Sequence, residues 1–331
     1  MRGILMNKFD LVIFGNCATV QILKFKTMPR IGRTETAVNA KADEIFYGGC
    51  SFNVFCGLSK LGVRTYPVLT YADIRFKDRI YEICRENDLP TEAIEGPPSR
   101  SYSTCLMLQD EDCNHITMMY HFGEDSDQEA VEEYPHAIKP EYFEKAAMAL
   151  MVMGNPATGY EIMRQVKRTG IPLAFSYRND PHLLPKELLD EILPETEVLF
   201  TNEIEAEYLE GLYGFKKITD WFHKGKARVI VTTLGKAGCV VYEKENNGAY
   251  HSVRIPATES DIGCVDTVGA GDGFVAGFLY GYIHGKPLEV CAQYGSTVSS
   301  FVIEKDGSTT NLPTVQQMLE RNRRRTDAKE E

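Results

Sequence analysis

The chain has 331 residues, 43% of them hydrophobic and 25% charged, which supplies a buried core for one large domain or two modest ones and argues against disorder. A formal net charge of −11 argues against a general binder of nucleic acid or anionic membranes, because such a surface repels polyphosphate at long range. Nine cysteines (Cys17, Cys50, Cys56, Cys84, Cys105, Cys113, Cys239, Cys264, Cys291), scattered and without a C-x-x-C pair, suit buried thiols in a reducing cytoplasm better than a disulfide framework or a zinc site.

The opening MRGILMNKFDLVIFGN holds only short apolar runs, too brief for a signal-peptide core followed by a cleavage site. No run approaches the ~20 apolar residues of a membrane span, so the expectation is a soluble, cytoplasmic protein with neither membrane nor nucleic acid as partner. FDLVIFGN (9–16) is the first of several short apolar runs that end in polar or glycine-bearing loops and precede helical patterns. AMALMVMGNP (147–156), IPLAFSYRND (171–180), EVLFTNE (197–203) and RVIVTTLGKAG (228–238) share that shape. Continuous apolar strands alternating with amphipathic helices predict an α/β fold, with a parallel sheet covered on both faces.

Ligands of such sheets gather outside the carboxyl ends of the strands. The loops Gly154-Asn155, Asn202-Glu203 and Thr233-Leu234-Gly235, together with a glycine-rich stretch near 270, are therefore expected along one edge. Two regions break the alternation, TETAVNAKADEIFY (34–47) and YSTCLMLQDEDCNHITMMYHF (102–122), the second with a turn-like QDEDCN between runs rich in β-branched, Met and aromatic residues. They read as a small β-sheet standing apart, a candidate lid; extra edge strands of the main sheet are left open by the pattern. The ending ERNRRRTDAKEE, with residues 321–331 as a polar tail, reads as a solvated helix end.

The most informative stretch is DTVGAGDGFVAGFLYG (266–281). Phe274, Phe278 and Ile283, with small residues at Ala276, Gly277 and Gly281, predict a helix pressed close to its neighbours. Gly269-Ala270-Gly271 supply the turn into it. Unpaired amides and the positive end of the helix dipole stabilise an anion there. Asp272 taken alone reads equally as an N-cap, but an anion nest beside a carboxylate able to accept a proton is what phosphoryl transfer needs. The seven histidines show no ligand spacing, and no G-x-x-x-x-G-K-[ST] loop is present.

DTVGAGDGFVAG resembles the D-T-x-G-A-G-D signature of the ribokinase-like (phosphofructokinase B, PfkB) family of small-molecule kinases. The resemblance implies a three-layer α/β/α fold with a small β-sheet lid. It makes Asp272 the base that deprotonates the acceptor hydroxyl, Gly269, Ala270 and Gly271 the anion hole, and Asp266 part of a monovalent-cation site. FYGGCSFNVFCGLSKLG (46–62) is similar to the family's first signature. Val54, Phe55, Leu58 and Leu61 line one face of a helix there. The Gly48-Gly49 pair lets backbone approach a ligand, and by resemblance Asn53 holds the acceptor's hydroxyls. TNEIEAEYL (201–209) matches the family's N-x-x-E, so Asn202 and Glu205 organise Mg²⁺ and phosphates through water; alone it reads as a solvated helix start. TTLGKAG (232–238) matches the loop that meets the nucleotide phosphates, through Thr233 and Gly235. SFVIEKDGSTTNLPT (300–314) is similar to archaeal nucleoside kinases of this family.

These matches span about residues 9–320 and imply one kinase domain over 1–320, with lid segments about 16–47 and 100–123. The cofactors implied are ATP and Mg²⁺, with K⁺ as a further candidate. The acceptor is a primary hydroxyl of a nucleoside, with a sugar as runner-up, and a homodimer through the lid follows from the resemblance alone. Three positions depart from the family. Val20 stands where an Asp usually grips two hydroxyls, and its side chain accepts no hydrogen bond. Ser176 replaces a frequent Asp, and Val268 a usual polar residue. Arg178, close by, reads as a surface arginine in preference to a fixed charge near an anionic substrate. Val20 and Ser176 keep a non-catalytic sugar- or nucleotide-binding sensor on the same fold as the alternative function.

Overall fold

A single long strand organises two sheets. In the computed structural model, which describes residues 8–39, 42–71, 74–96, 102–122, 138–152 and 156–327, β1 runs from Phe9 to Lys24. It is followed by β2 (Ile45–Gly48), α1 (Cys50–Lys60), β3 (Thr65–Tyr71), α2 (Ile74–Glu86), β4 (Ile94–Glu95), β5 (Tyr102–Gln109) and β6 (His115–Phe122). The middle of the chain supplies α3 (Pro140–Glu144), β7 (Ala146–Met151), α4 (Pro156–Thr169), β8 (Leu173–Ser176), α5 (Lys186–Ile192), β9 (Thr196–Asn202), α6 (Glu203–Tyr213) and α7 (Trp221–Lys224). It ends with β10 (Val229–Thr233), β11 (Cys239–Lys244), β12 (Tyr250–Ile255), α8 (Ala270–Ile283), α9 (Leu288–Val302) and α10 (Val315–Asp327).

The main sheet has the order β12-β11-β10-β9-β8-β7-β1-β3-β4. It is parallel from β10 to β4, and only β11 and β12 run antiparallel. The apolar runs dictate this. Leu11 and Ile13 point into one core cluster with Phe52 and Phe55 of α1 and Phe274 and Phe278 of α8. Val12 and Phe14 point into the other, with Tyr142 of α3, Ile162 of α4, Leu188 of α5 and Trp221 of α7. A strand apolar at every position is stable only between two helical layers, which gives the three-layer α/β/α arrangement. None of the helices among the described residues is long and apolar enough to cross a membrane.

Beyond the main sheet, β1 continues into a small second one. Its second half pairs antiparallel with β2, Val20 opposite Phe46, and parallel with β5, Val20 opposite Cys105. The β5–β6 hairpin closes this sheet, turning at Asp110–Asn114 where the sequence carries QDEDCN. Among the described residues of the stretch 34–47, the last ones form a strand and 34–39 do not; Asn39 instead caps the edge of β1, its side chain bonding Ile22 O and Lys24 N–H at 2.9 Å each. One face of the sheet (Val20, Ile22, Cys105, Met107) packs on Val268.

Helices α8 and α9 lie against each other through glycine. A Cβ at Gly277 would stand 2.6 Å from Tyr294 O, and one at Gly295 would stand 2.7 Å from Phe274 O. At the other end, α10 runs through Asp327, a helix end as expected, but it is not wholly solvated. Arg321 is only 6% exposed, pairs with Glu304 at 2.9 Å and Asp261 at 3.0 Å, and lies over the Phe301 ring.

Gly277→Ala gains about 1 kcal/mol in helix propensity, yet its Cβ meets backbone that cannot rotate away. Overpacking of about 1–3 kcal/mol outweighs that gain, so the net expectation is a lower urea midpoint for the variant. An unchanged or higher midpoint would show that the two helices part without cost.

Candidate active site

The glycine-rich turn places an acid at the head of α8. Gly269, the N-cap residue, has φ 76°, and a Cβ there would stand 2.3 Å from Ser308 Cβ, so both backbone conformation and space require glycine. The Ala270 N–H donates to Thr267 O at 3.2 Å and the Gly273 N–H to Gly269 O at 2.8 Å. Among the described residues the N–H groups of Gly271 and Asp272 find no acceptor, as expected in the first turn of a helix. Of the Gly269-Ala270-Gly271 turn, the Ala270 N–H is engaged with Thr267 O, and the N–H groups left open are those of Gly271 and Asp272.

Asp272 is 4% exposed and both its carboxylate oxygens are held. Oδ2 accepts Asn53 Nδ2 at 2.7 Å, and Oδ1 accepts Arg178 Nη2 at 2.6 Å. Asn53 lies in the first turn of α1, beyond the Gly48-Gly49 pair. Gly49 has φ 97°, and a Cβ on it would stand 2.9 Å from Asn16 O. The Asn53 carbonyl in turn accepts Ser308 Oγ at 2.7 Å. Ser308 was invisible as a site residue in sequence, since it lies in a loop 255 positions from Asn53.

Arg178 is the main correction to the sequence reading. It follows β8 at the carboxyl edge of the sheet and, far from being a surface arginine, pairs with Asp272; its Nη1 donates to Tyr177 O at 2.8 Å and lies 3.9 Å from Glu205 Oε1. Burial works against its charge, but Asp272, Cys50 and Glu205 outweigh that and raise its pKa. The signal that could have found it is its place in a strand-end loop, where α/β sites form.

Glu205 and Asn202 form a capping box at the start of α6. Asn202 Oδ1 accepts the Glu205 N–H at 2.8 Å, and Glu205 Oε2 accepts the Asn202 N–H at 2.7 Å. Glu205 is buried, and burial raises its pKa against the opposing pull of Arg178 and the Asn202 amide. The β9–β10 register sets Thr233 beside Asn202, and Gly235 follows with φ 55°. Asn202, Glu205, Thr233, Arg178 and Asp272 therefore share the predicted edge, whereas Gly154-Asn155 lies outside the described residues.

Asp266 is 0% exposed and accepts three hydrogen bonds: Gln109 Nε2 and the Val268 N–H donate to Oδ1, and the Gly307 N–H to Oδ2, each at 2.9 Å. A cation held here would share the carboxylate with these donors, with Oδ2 the less engaged oxygen. The capping box leaves Glu205 Oε1 facing Arg178, which fits water-mediated contact with Mg²⁺; no group of three or more His, Cys, Asp or Glu gathers among the described residues. Val20 is buried in the small sheet, with its Cγ2 where a Cβ of Gly48 would stand, so an apolar surface replaces the acid.

A buried carboxylate fixed between an amide and a guanidinium, at the head of a helix with two unpaired N–H groups, can accept a proton next to a place that stabilises negative charge. The profile of the pfkB family of carbohydrate kinases matches residues 8–315. The chain belongs to that family. As a pfkB-family kinase it phosphorylates an alcohol group.

The pfkB chain is 28% identical over 287 residues to a nucleoside kinase of Methanocaldococcus jannaschii, covering 86% of this chain and 88% of the relative. The crystal structure of that nucleoside kinase, described as an archaeal member of the ribokinase family, superposes with a TM-score of 0.74 at 24% identity, over 96% of this chain and 99% of the other. A cytidine kinase of Thermococcus kodakarensis is 28% identical over 260 residues, 76% of this chain and 88% of the relative. A Burkholderia thailandensis nucleoside kinase in complex with ADP-inosine has a TM-score of 0.76 at 18% identity, covering 95% of each chain. The ribokinase-like fold is thereby established.

Cys50, the first residue of α1, is half-buried beside this charge cluster. Burial first, then the Asp272 carboxylate, push its thiol up to about 11, with Arg178 acting in the opposite direction. Alkylation of Cys50 by iodoacetamide is therefore expected to rise about tenfold per pH unit from 8 to 10, because only the thiolate reacts. Asp272→Asn removes the raising charge and should speed labelling at pH 8, read by mass spectrometry of the Cys50 peptide. An equal or slower rate in that variant would contradict the electrostatic account.

Proposed function

We propose that this pfkB-family kinase transfers the γ-phosphate of ATP to a primary hydroxyl of a nucleoside, with a sugar as second candidate. The Asp272–Arg178 pair at the head of α8 carries the reading. The acceptor hydroxyl gives its proton to Asp272 as its oxygen attacks the γ-phosphorus. The O–P bond forms as the bond to the bridging oxygen breaks, and ADP leaves with that electron pair. Asn53 holds the carboxylate in line and, with Gly48 and Gly49, lets the acceptor approach. Arg178 and the amides around Gly271 stabilise the charge on the transferred group. Magnesium, held through water by Asn202 and Glu205, would neutralise phosphate charge beside Thr233 and Gly235. No step is assigned to a monovalent cation at Asp266.

The nucleoside and cytidine kinases among the relatives, and the ADP-inosine complex, support this choice of donor and acceptor. Val20 is what favours a sensor that binds without turnover. The complete Asp272, Asn53 and Arg178 set weighs against it.

The small sheet, with segments about 16–47 and 100–123, acts in this reading as a lid that closes over the acceptor and keeps water from taking the phosphate. Its outer face carries Ile45, Ile116 and Met118, all exposed, an apolar surface that suits a second copy of the chain. Met118→Glu should shift sedimentation from dimer to monomer; a parent protein that sediments as a monomer would remove the dimer from this reading.

The decisive assay is ADP production from ATP and Mg²⁺ across nucleosides, sugars and polyols. One acceptor should stimulate turnover, and Asp272→Asn should lower it at least ~10²-fold, the usual worth of a general base. Arg178→Ala should cost about 10²–10³-fold in kcat, as expected of a lost charge stabiliser. Parent-rate turnover by Asp272→Asn refutes the base, and nucleotide binding with no turnover across the panel favours the sensor.

A further inference from the structure

The two segments that flank the site from above, the β5–β6 turn and the loop leading into Gly269, meet at a pair of cysteines. Cys113 Sγ and Cys264 Sγ lie 3.0 Å apart, 151 positions distant in sequence. Cys264 is exposed and Cys113 half-buried, whereas six of the other seven cysteines are buried and Cys50 is half-buried. Contacts beside the pair hold it in register. Thr267 Oγ1 donates to Cys113 O at 3.0 Å, Gln109 Nε2 to Asp266 Oδ1 at 2.9 Å, and Lys24 Nζ to Val265 O at 3.1 Å. Lys24 also pairs with Asp306. Gln109 and Cys113 of the hairpin and residues 265–267 after Cys264 are thus already tied across the same gap, which holds the sulfurs within about 1 Å of bonding distance.

We propose that Cys113 and Cys264 are a redox modification site, forming a reversible disulfide that fastens the small sheet to the catalytic turn when a low-molecular-weight disulfide is in excess. The Cys264 thiolate attacks the oxidant disulfide and expels one thiolate, giving a mixed disulfide on Cys264. The Cys113 thiolate then attacks Cys264 Sγ and expels the second. The two cysteines lose two protons and two electrons, and the oxidant is reduced to two thiols. Exchange runs through the thiolates, so the bond forms faster as the pH rises.

The consequence rests on the kinase reading with its moving lid. Gln109 and the Thr267–Cys113 contact already couple the sheet to the signature turn, and a covalent tie removes the freedom needed to admit acceptor and release product.

The test incubates the full chain with oxidised glutathione at pH 8.5, then maps peptides without reduction and follows hydrogen exchange of residues 102–122. Expected are a cross-linked Cys113–Cys264 peptide two hydrogens lighter than its parts, and exchange slowed about tenfold in 115–122 by loss of the local opening. Turnover of the best acceptor should fall at least about fivefold, since opening gates it, and recover with dithiothreitol. Cys264→Ser in reductant should keep parent activity and lose the redox response. Absence of the cross-linked peptide, or a bond mapped to other cysteines, overturns the site. A correct bond with unchanged exchange and unchanged turnover overturns the latch. Peptide mass and exchange need no turnover, so a failed latch and a failed kinase reading are told apart.

Discussion

A carboxylate that is 4% exposed is costly to bury unless both its oxygens meet donors at close range, and the structure around Asp272 is built on that requirement. Arg178 meets one oxygen and Asn53 the other. Each of those partners is itself fixed: Arg178 by Tyr177 O and the nearby Glu205, Asn53 by Ser308 and by its place in the first turn of α1. The acid therefore has one orientation before any substrate arrives. The acid lies in the first turn of α8, where the Gly271 and Asp272 amides lack acceptors, so a proton acceptor and a positive helix end stand together, as the proposed phosphoryl transfer requires.

The second constraint is β1. Its first half is apolar at successive positions and is trapped between two helical layers. Its second half alternates Val20 and Ile22 toward Val268 with Thr19 and Gln21 on the other side, as a strand of a two-sided small sheet must. One strand therefore carries both the main sheet and the small sheet. The contacts that join the small sheet to the glycine-rich turn are Gln109 to Asp266, Thr267 to Cys113, and Lys24, the last residue of β1, to Val265. Asp266, which by family resemblance serves a cation, is in this chain the buried acceptor for the sheet's Gln109.

Much of the fold was legible because strand period and length are local. The runs at 9, 147, 171, 197 and 228 are continuous apolar stretches, and each became a parallel strand. What was missed is non-local. The β11–β12 pair is an antiparallel edge whose apolar run, Cys239–Tyr242, is short and follows a glycine turn rather than a helix, and residues 34–39 were taken for strand because their composition permits extended backbone. The fate of Arg178 was undecidable from its neighbours Tyr177 and Asn179, since an arginine is buried or exposed according to what lies across the sheet edge from it. Arg321 repeats the lesson: a run of arginines in a polar ending reads as solvated until Glu304 and Asp261 are found against it.

By itself the sequence determined the layered α/β class, the helix headed by Gly269-Ala270-Gly271-Asp272 and the resemblance to pfkB kinases, because strand periodicity, glycine turns and short motifs are carried by adjacent residues. Only the tertiary structure decided that Asp272 is paired by Arg178, that Ser308 stands behind Asn53 and that Cys113 faces Cys264. Those contacts join positions up to 255 residues apart, and they exist only once the two cores have closed around β1.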